Sequence, residues 1–138
     1  MPLYENDQDR YHEQQFVNYL LREYGFVATK LDMKYGVDFF VVDKEHRPSS
    51  WVEFKNRSRT FDSYMISVFK VWRGRSLAQI TGMKFNIAIE VDSKYYTVNL
   101  TKDVLHESKI DIGGRTDRGV DGDVEPMYFI PWNMFVEI

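Results

Sequence analysis

Asp38, Glu53 and Lys55 are the residues of this 138-residue chain whose types and spacing can do chemistry. They lie in YGVDFFVVDKEHRPSSWVEFKNRS, Tyr35 to Ser58, which reads as two strands rich in Val, Phe and Trp around the turn-like KEHRPS. With KEHR as a symmetric four-residue turn, Asp43 faces Pro48. The same register sets Asp38 directly opposite Glu53. Opposed residues share a face with Cβ atoms roughly 4.5–5.5 Å apart, and Glu53 and Lys55, two apart on one strand, share it too. Like charges so placed repel. A divalent cation between the carboxylates turns that repulsion into affinity, and Lys55 adds further compensation. Each piece alone is an ordinary solvated-strand feature. Their convergence is what points to a site.

A fourth group comes from the helix expected over Asp9–Tyr24 and closed by Gly25. At about 100° per residue, Phe16, Val17, Leu20 and Tyr24 fall within about 60° of Glu13. Glu13 thus sits in the stripe that should face the sheet, where a carboxylate needs a cation, a donor or a wet cleft. Its place near the helix N-terminus is also favoured by the helix dipole alone.

These residues must be positioned by the elements around them. GFVATKL reads as a strand, LDMKYG as a turn, VDFFVVD and SWVEFKN as the hairpin, and SYMISVF as a third sheet strand. KVWRGRSLAQITGMK reads as a helix despite Gly74, with Val71, Leu77 and Ile80 as candidate core residues. FNIAIEV and YYTVNL form a hairpin around DSK, and TKDVLHES a short helix with Thr101 as its N-cap. GGRTDRGVDGDVEP reads as a mobile loop, after which MYFIPWNMFVEI docks back on the core. The order specifies an α/β fold with a central mixed sheet flanked by helices and a C-terminal extension.

The length suits a single domain, 1–138. No apolar run reaches membrane-spanning length, no signal peptide is legible, and the absence of cysteine excludes thiolate sites and points to the cytoplasm. Net charge is −3, but eight basic and two acidic residues fall between Arg47 and Lys84. That segment carries +6 and leaves −9 on the remainder, an arrangement that can attract a polyanion.

Glu13 on the first helix, Val37-Asp38 at a strand start and Glu53-Phe54-Lys55 on the next strand resemble the PD-(D/E)xK nuclease superfamily, with its restriction-endonuclease-like and Holliday-junction-resolvase-like members. The element order up to about Val91 is similar to that family's α-β-β-β-α-β core. Val37 stands where the family name has proline. The resemblance implies a metal-dependent DNA endonuclease. Asp38, Glu53 and the backbone carbonyl of Phe54 would bind Mg²⁺ or Mn²⁺, with Glu13 joining through water or a second ion. Lys55 would orient or deprotonate the attacking water. Arg57, Arg59, Lys70, Arg73 and Arg75 would hold phosphates, joined by Asn56 and Ser58 as uncharged donors, and Gln79 on the second helix could reach the site. The resemblance further implies duplex or branched DNA as partner, with RNA left open, and the small size suggests a homodimer. The alternative is a catalytically inactive nuclease-fold module that binds nucleic acid or protein.

Other motifs carry less. In DRGVDGDVE, counted as a calcium loop from Asp117, the third position is Gly119 and the twelfth Tyr128, so the bidentate glutamate is missing. Arg115 and Arg118 of that stretch could touch nucleic acid. His12, His46 and His106 have no metal-ligand spacing.

Overall fold

The computed structural model describes residues 7–114 and 124–138. In chain order these form α1 (Asp7–Tyr24), β1 (Val27–Lys30), a 3-10 turn (Met33–Tyr35), β2 (Phe39–Val42), β3 (Pro48–Arg57), β4 (Ser63–Ser67) and α2 (Val68–Thr81). There follow β5 (Lys84–Val91), β6 (Lys94–Asn99), α3 (Lys102–His106), β7 (Lys109–Gly114), β8 (Val124–Pro131), a second 3-10 turn (Trp132–Met134) and β9 (Val136–Glu137). Helix α1 begins two residues earlier than its periodicity suggests, with Asp7 and Asp9 in the first turn, where the dipole favours them. It ends at Gly25, whose φ of 71° turns the chain so that the N–H of Phe26 reaches back to the carbonyl of Leu20 at 3.2 Å.

The main sheet has six strands in the order β1-β2-β3-β5-β6-β9. It is mixed because α2 carries the chain back to lay β5 parallel to β3, while the other pairs are antiparallel. Alternation along the strands divides the core in two. Phe39, Val41, Val52, Phe54 and Ala88 face α1, whose Phe16 and Leu20 pack on them. Trp51, Phe85, Ile87, Ile89 and Val91 face the opposite way, against Val71 of α2 and Tyr64, Ile66 and Ile130 of the smaller sheet.

Gly74 explains how α2 seats so closely: a Cβ there would meet ring atoms of Phe85 at 2.4 Å. The 3-10 turn before β2 closes at Gly36, φ 74°, over which the side chain of Arg73 lies. The expected cap of α3 is present, with Thr101 Oγ1 accepting from the N–H of Val104.

Several expectations need correction. SYMISVF is not a third strand of the main sheet. It forms β4, which joins β8 and β7 in a separate three-stranded sheet. Ile80 is not core but 82 % exposed, and Tyr24 is 42 % exposed. Of the glycine-rich stretch, Gly113 and Gly114 belong to β7 and residues 124–126 to β8; residues 115–123, with Arg115 and Arg118, lie outside the described residues. The expected symmetric turn is also absent. Val42, not Asp43, faces Pro48, because Asp43 and Arg47 close a tighter turn through the N–H of Asp43 and the carbonyl of Arg47. A bulge then takes up the extra residue, so Val41 pairs with Ser50 and Phe39 with Val52, as the simpler register required.

Candidate active site

Two departures that cancel therefore deliver Asp38 to the strand position beside Glu53. The N–H of Asp38 donates to the carbonyl of Val52 at 3.0 Å, and its Oδ2 accepts from the N–H of Phe54 at 2.8 Å. Glu53, two residues from Trp51, points to the face covered by α2, and Lys55 follows it there with Nζ 3.8 Å from Glu53 Oε2. Glu53 is nearly sealed, 1 % exposed, while the side chain of Lys55 is 40 % exposed. Helix α2 supplies a closer cation: Lys70, in its first turns, donates to Glu53 Oε2 at 2.7 Å. The other carboxylate oxygen, Glu53 Oε1, is buried and has no hydrogen-bond partner among the described residues.

Glu13 arrives from elsewhere. The apolar stripe of α1 does face the sheet, but it faces the side built from Phe39, Val52 and Phe54. Period-two alternation puts Asp38 and Glu53 on the other side. Glu13 accordingly reaches the site around the sheet edge, through Lys30: Nζ of Lys30 is 2.7 Å from Glu13 Oε2 and 3.5 Å from Asp38 Oδ1. Sequence reasoning missed Lys30. Its pairing with Phe39, next to Asp38, marks it once the β1–β2 register is known. Among the described residues no three Asp, Glu or His side chains gather tightly enough to form a ready-made metal cage.

Burial pushes the pKa of Glu53 up, Asp38's charge pushes it further, and Lys70 and Lys55 oppose both without prevailing. For Lys70, burial acts to lower the pKa, but the charge and hydrogen bond of Glu53 outweigh it and the net direction is upward. Tyr64, buried on β4, is raised above the usual phenol range by burial and then by Glu53.

The remaining expected cations divide. Arg73, at the surface, lies over the Gly36 turn beside the site, and Arg59 is exposed on the loop after β3. Arg57 stacks over the ring of Tyr64 at 5.4 Å. Arg75 is turned away, donating to the carbonyl of Leu100 at 3.1 Å. Gln79, nine residues beyond Lys70, emerges on the opposite side of the helix. Asn56 faces α1, where its amide lies 3.4 Å from Nδ1 of His12, which in turn lies 3.1 Å from Glu90 Oε1. That part-buried pairing with Glu90 is another feature the sequence did not reveal.

What could this arrangement hold? Its donors are carboxylate oxygens backed by ammonium groups, the set a hard divalent cation prefers. Glu53 Oε1, without a hydrogen-bond partner among the described residues, is an acceptor of the kind such a cation takes.

The profile of a family described as "Phage putative PDDEXK endonuclease" matches residues 1–138. Among solved structures, the chain is similar to Archaeoglobus fulgidus Hjc, a Holliday junction resolvase from an archaeal hyperthermophile. Sequence identity is 15 %, the match covers 96 % of this chain and 93 % of that one, and the TM-score is 0.66, a likeness of fold. No curated protein matches.

Proposed function

The chain belongs to the phage PDDEXK endonuclease family, and from that premise we propose that residues 1–138 act as one metal-dependent DNA endonuclease domain that cuts branched DNA. Branched substrate is suggested by the fold shared with a resolvase. The observation that carries the catalytic reading is Glu53: a sealed carboxylate with one oxygen unpartnered among the described residues, Asp38 at its side and two lysines on its other oxygen.

Asp38, Glu53 and the carbonyl of Phe54 would hold Mg²⁺ or Mn²⁺. The bound ion would polarise the scissile phosphate and lower the pKa of water. Lys55, fixed on the same strand face, orients the attacking water, accepts or relays its proton, and stabilises charge developing on the phosphate. Glu13 acts through Lys30, holding Asp38 in place, and can reach a second ion through water. Arg59 and Arg73 hold backbone phosphates, with Arg57 beside them. Arg75 serves the fold.

We further propose a homodimer, since a four-way junction presents symmetric strands and a two-fold protein presents two sites. Phe69, Trp72 and Ile80 on the outer side of α2, exposed by 77 %, 64 % and 82 %, supply an apolar surface for it. No described helix is long and apolar enough to cross a membrane; the cysteine-free composition favours the cytoplasm as the place of action.

The test is cleavage of labelled single-stranded, duplex, flapped and four-way DNA, and of RNA, with Mg²⁺ or Mn²⁺. Wild type should cut four-way DNA best, and Lys55→Ala should be slower by about 100- to 10,000-fold. EDTA should stop cleavage. A folded wild type that cuts none of these substrates would instead make the chain a binding module.

A further inference from the structure

Every carboxylate of the proposed site is already held by a lysine. Lys30 bridges Glu13 and Asp38 at 2.7 and 3.5 Å, and Lys70 holds Glu53 at 2.7 Å with Lys55 behind it at 3.8 Å. A divalent cation that takes up Glu53 and Asp38 therefore meets ammonium groups within a few ångströms, and Coulomb repulsion weakens their hold on the carboxylates.

The three lysines are not equally free to leave. Lys30 is tethered on two sides and lies over the ring of Phe39 at 5.4 Å. Lys55 rises from the C-terminal half of β3, where it pairs with Ile89 of β5, and stands 3.8 Å from Glu53 Oε2 without a hydrogen bond to it. Lys70 stands in the first turn of α2, as exposed as the other two but alone of the three in hydrogen-bonding Glu53, with exposed Phe69 and Arg73 beside it. Its flexible four-carbon stem can swing without moving the helix. One turn along, Arg73 supplies a second cation, and the helix N-terminus itself favours an anion nearby.

We propose that Lys70 is the resident counter-ion of Glu53, displaced when the divalent cation binds and transferred to a phosphate oxygen of the DNA. This rests on the metal-dependent reading above. It makes one residue serve two states: it neutralises the empty site, then clamps the substrate only when the site is loaded.

Lysine acetylation read by mass spectrometry tests it, using the full chain in EDTA, in Ca²⁺, and in Ca²⁺ with four-way DNA. Exposed Lys94 serves as the reference. Lys70 should become several-fold more reactive in Ca²⁺ and be protected again by DNA, and Lys70→Gln should weaken DNA binding in Ca²⁺ but not in EDTA. In Glu53→Gln, Lys70 should be reactive with or without Ca²⁺. Calorimetry with Ca²⁺ runs alongside. Unchanged reactivity of Lys70 in a protein that binds Ca²⁺ overturns the displacement and leaves the metal-dependent reading standing. Exposure that DNA does not reverse, or equal loss of DNA affinity in both media, overturns the transfer. No Ca²⁺ binding by wild type overturns the metal reading, and this inference with it.

Discussion

Glu53 concentrates the conflict between stability and chemistry in one side chain. Its folded-state pKa is raised, first by burial and then by Asp38. A carboxylate with a raised folded pKa contributes its full stability below the ordinary glutamate range and loses it as pH rises through the folded value. In EDTA, wild type should therefore lose melting temperature relative to Glu53→Gln over the window that opens at the ordinary glutamate range and extends upward from it. A constant difference across that window would contradict the assigned direction. Cleavage should vanish in the same variant, which separates what the group costs from what it does. Glu53 and Lys55 were legible as an E-x-K on a strand. Lys30 was not, because a lysine at the end of an edge strand gains meaning only from Glu13 and Asp38, which are 17 and 8 residues away in the chain.

At the scale of elements, the hairpin and α2 decide where these side chains go. The β2–β3 register holds although its turn is tighter than the symmetric one, because the bulge beside Ser49 restores the pairing. Buried faces enforce this result: a one-residue slip would turn Val52 and Phe54 out and Glu53 into the α1 core. Helix α2 was harder to orient, with Phe69, Val71, Trp72, Leu77 and Ile80 spread around its circumference. Gly74 settles which side is inward, because only there can the backbone approach Phe85. Gly74→Ala should lower the free energy of unfolding by about 1–3 kcal/mol through overpacking, despite alanine's better helix propensity. Urea melts would show it, and an unchanged or higher midpoint would contradict the packing argument.

For the whole molecule, charge segregation sets the encounter with a polyanion. Between Arg47 and Lys84 the chain is net basic, and the remainder is acidic. Arg59→Ala and Arg73→Ala should each reduce the salt dependence of DNA binding by about one unit of log–log slope. Arg75→Ala should leave that slope alone and lose about 0.5–1.5 kcal/mol of stability, the worth of its bond to Leu100. Wild type should sediment as a dimer and Trp72→Glu as a monomer; an unchanged mass would move the interface elsewhere. By itself the sequence determined the α/β class, the first helix, the hairpin and its three polar residues, because these follow from local periodicity and strand alternation. It also carried the family resemblance. Tertiary structure alone decided that α1 covers the opposite sheet face from Glu53, that Lys30 and Lys70 meet the carboxylates, that β4 leaves the main sheet, and that Arg75 is structural. Those outcomes depend on which faces stack and which distant side chains meet, and no spacing along a chain encodes that.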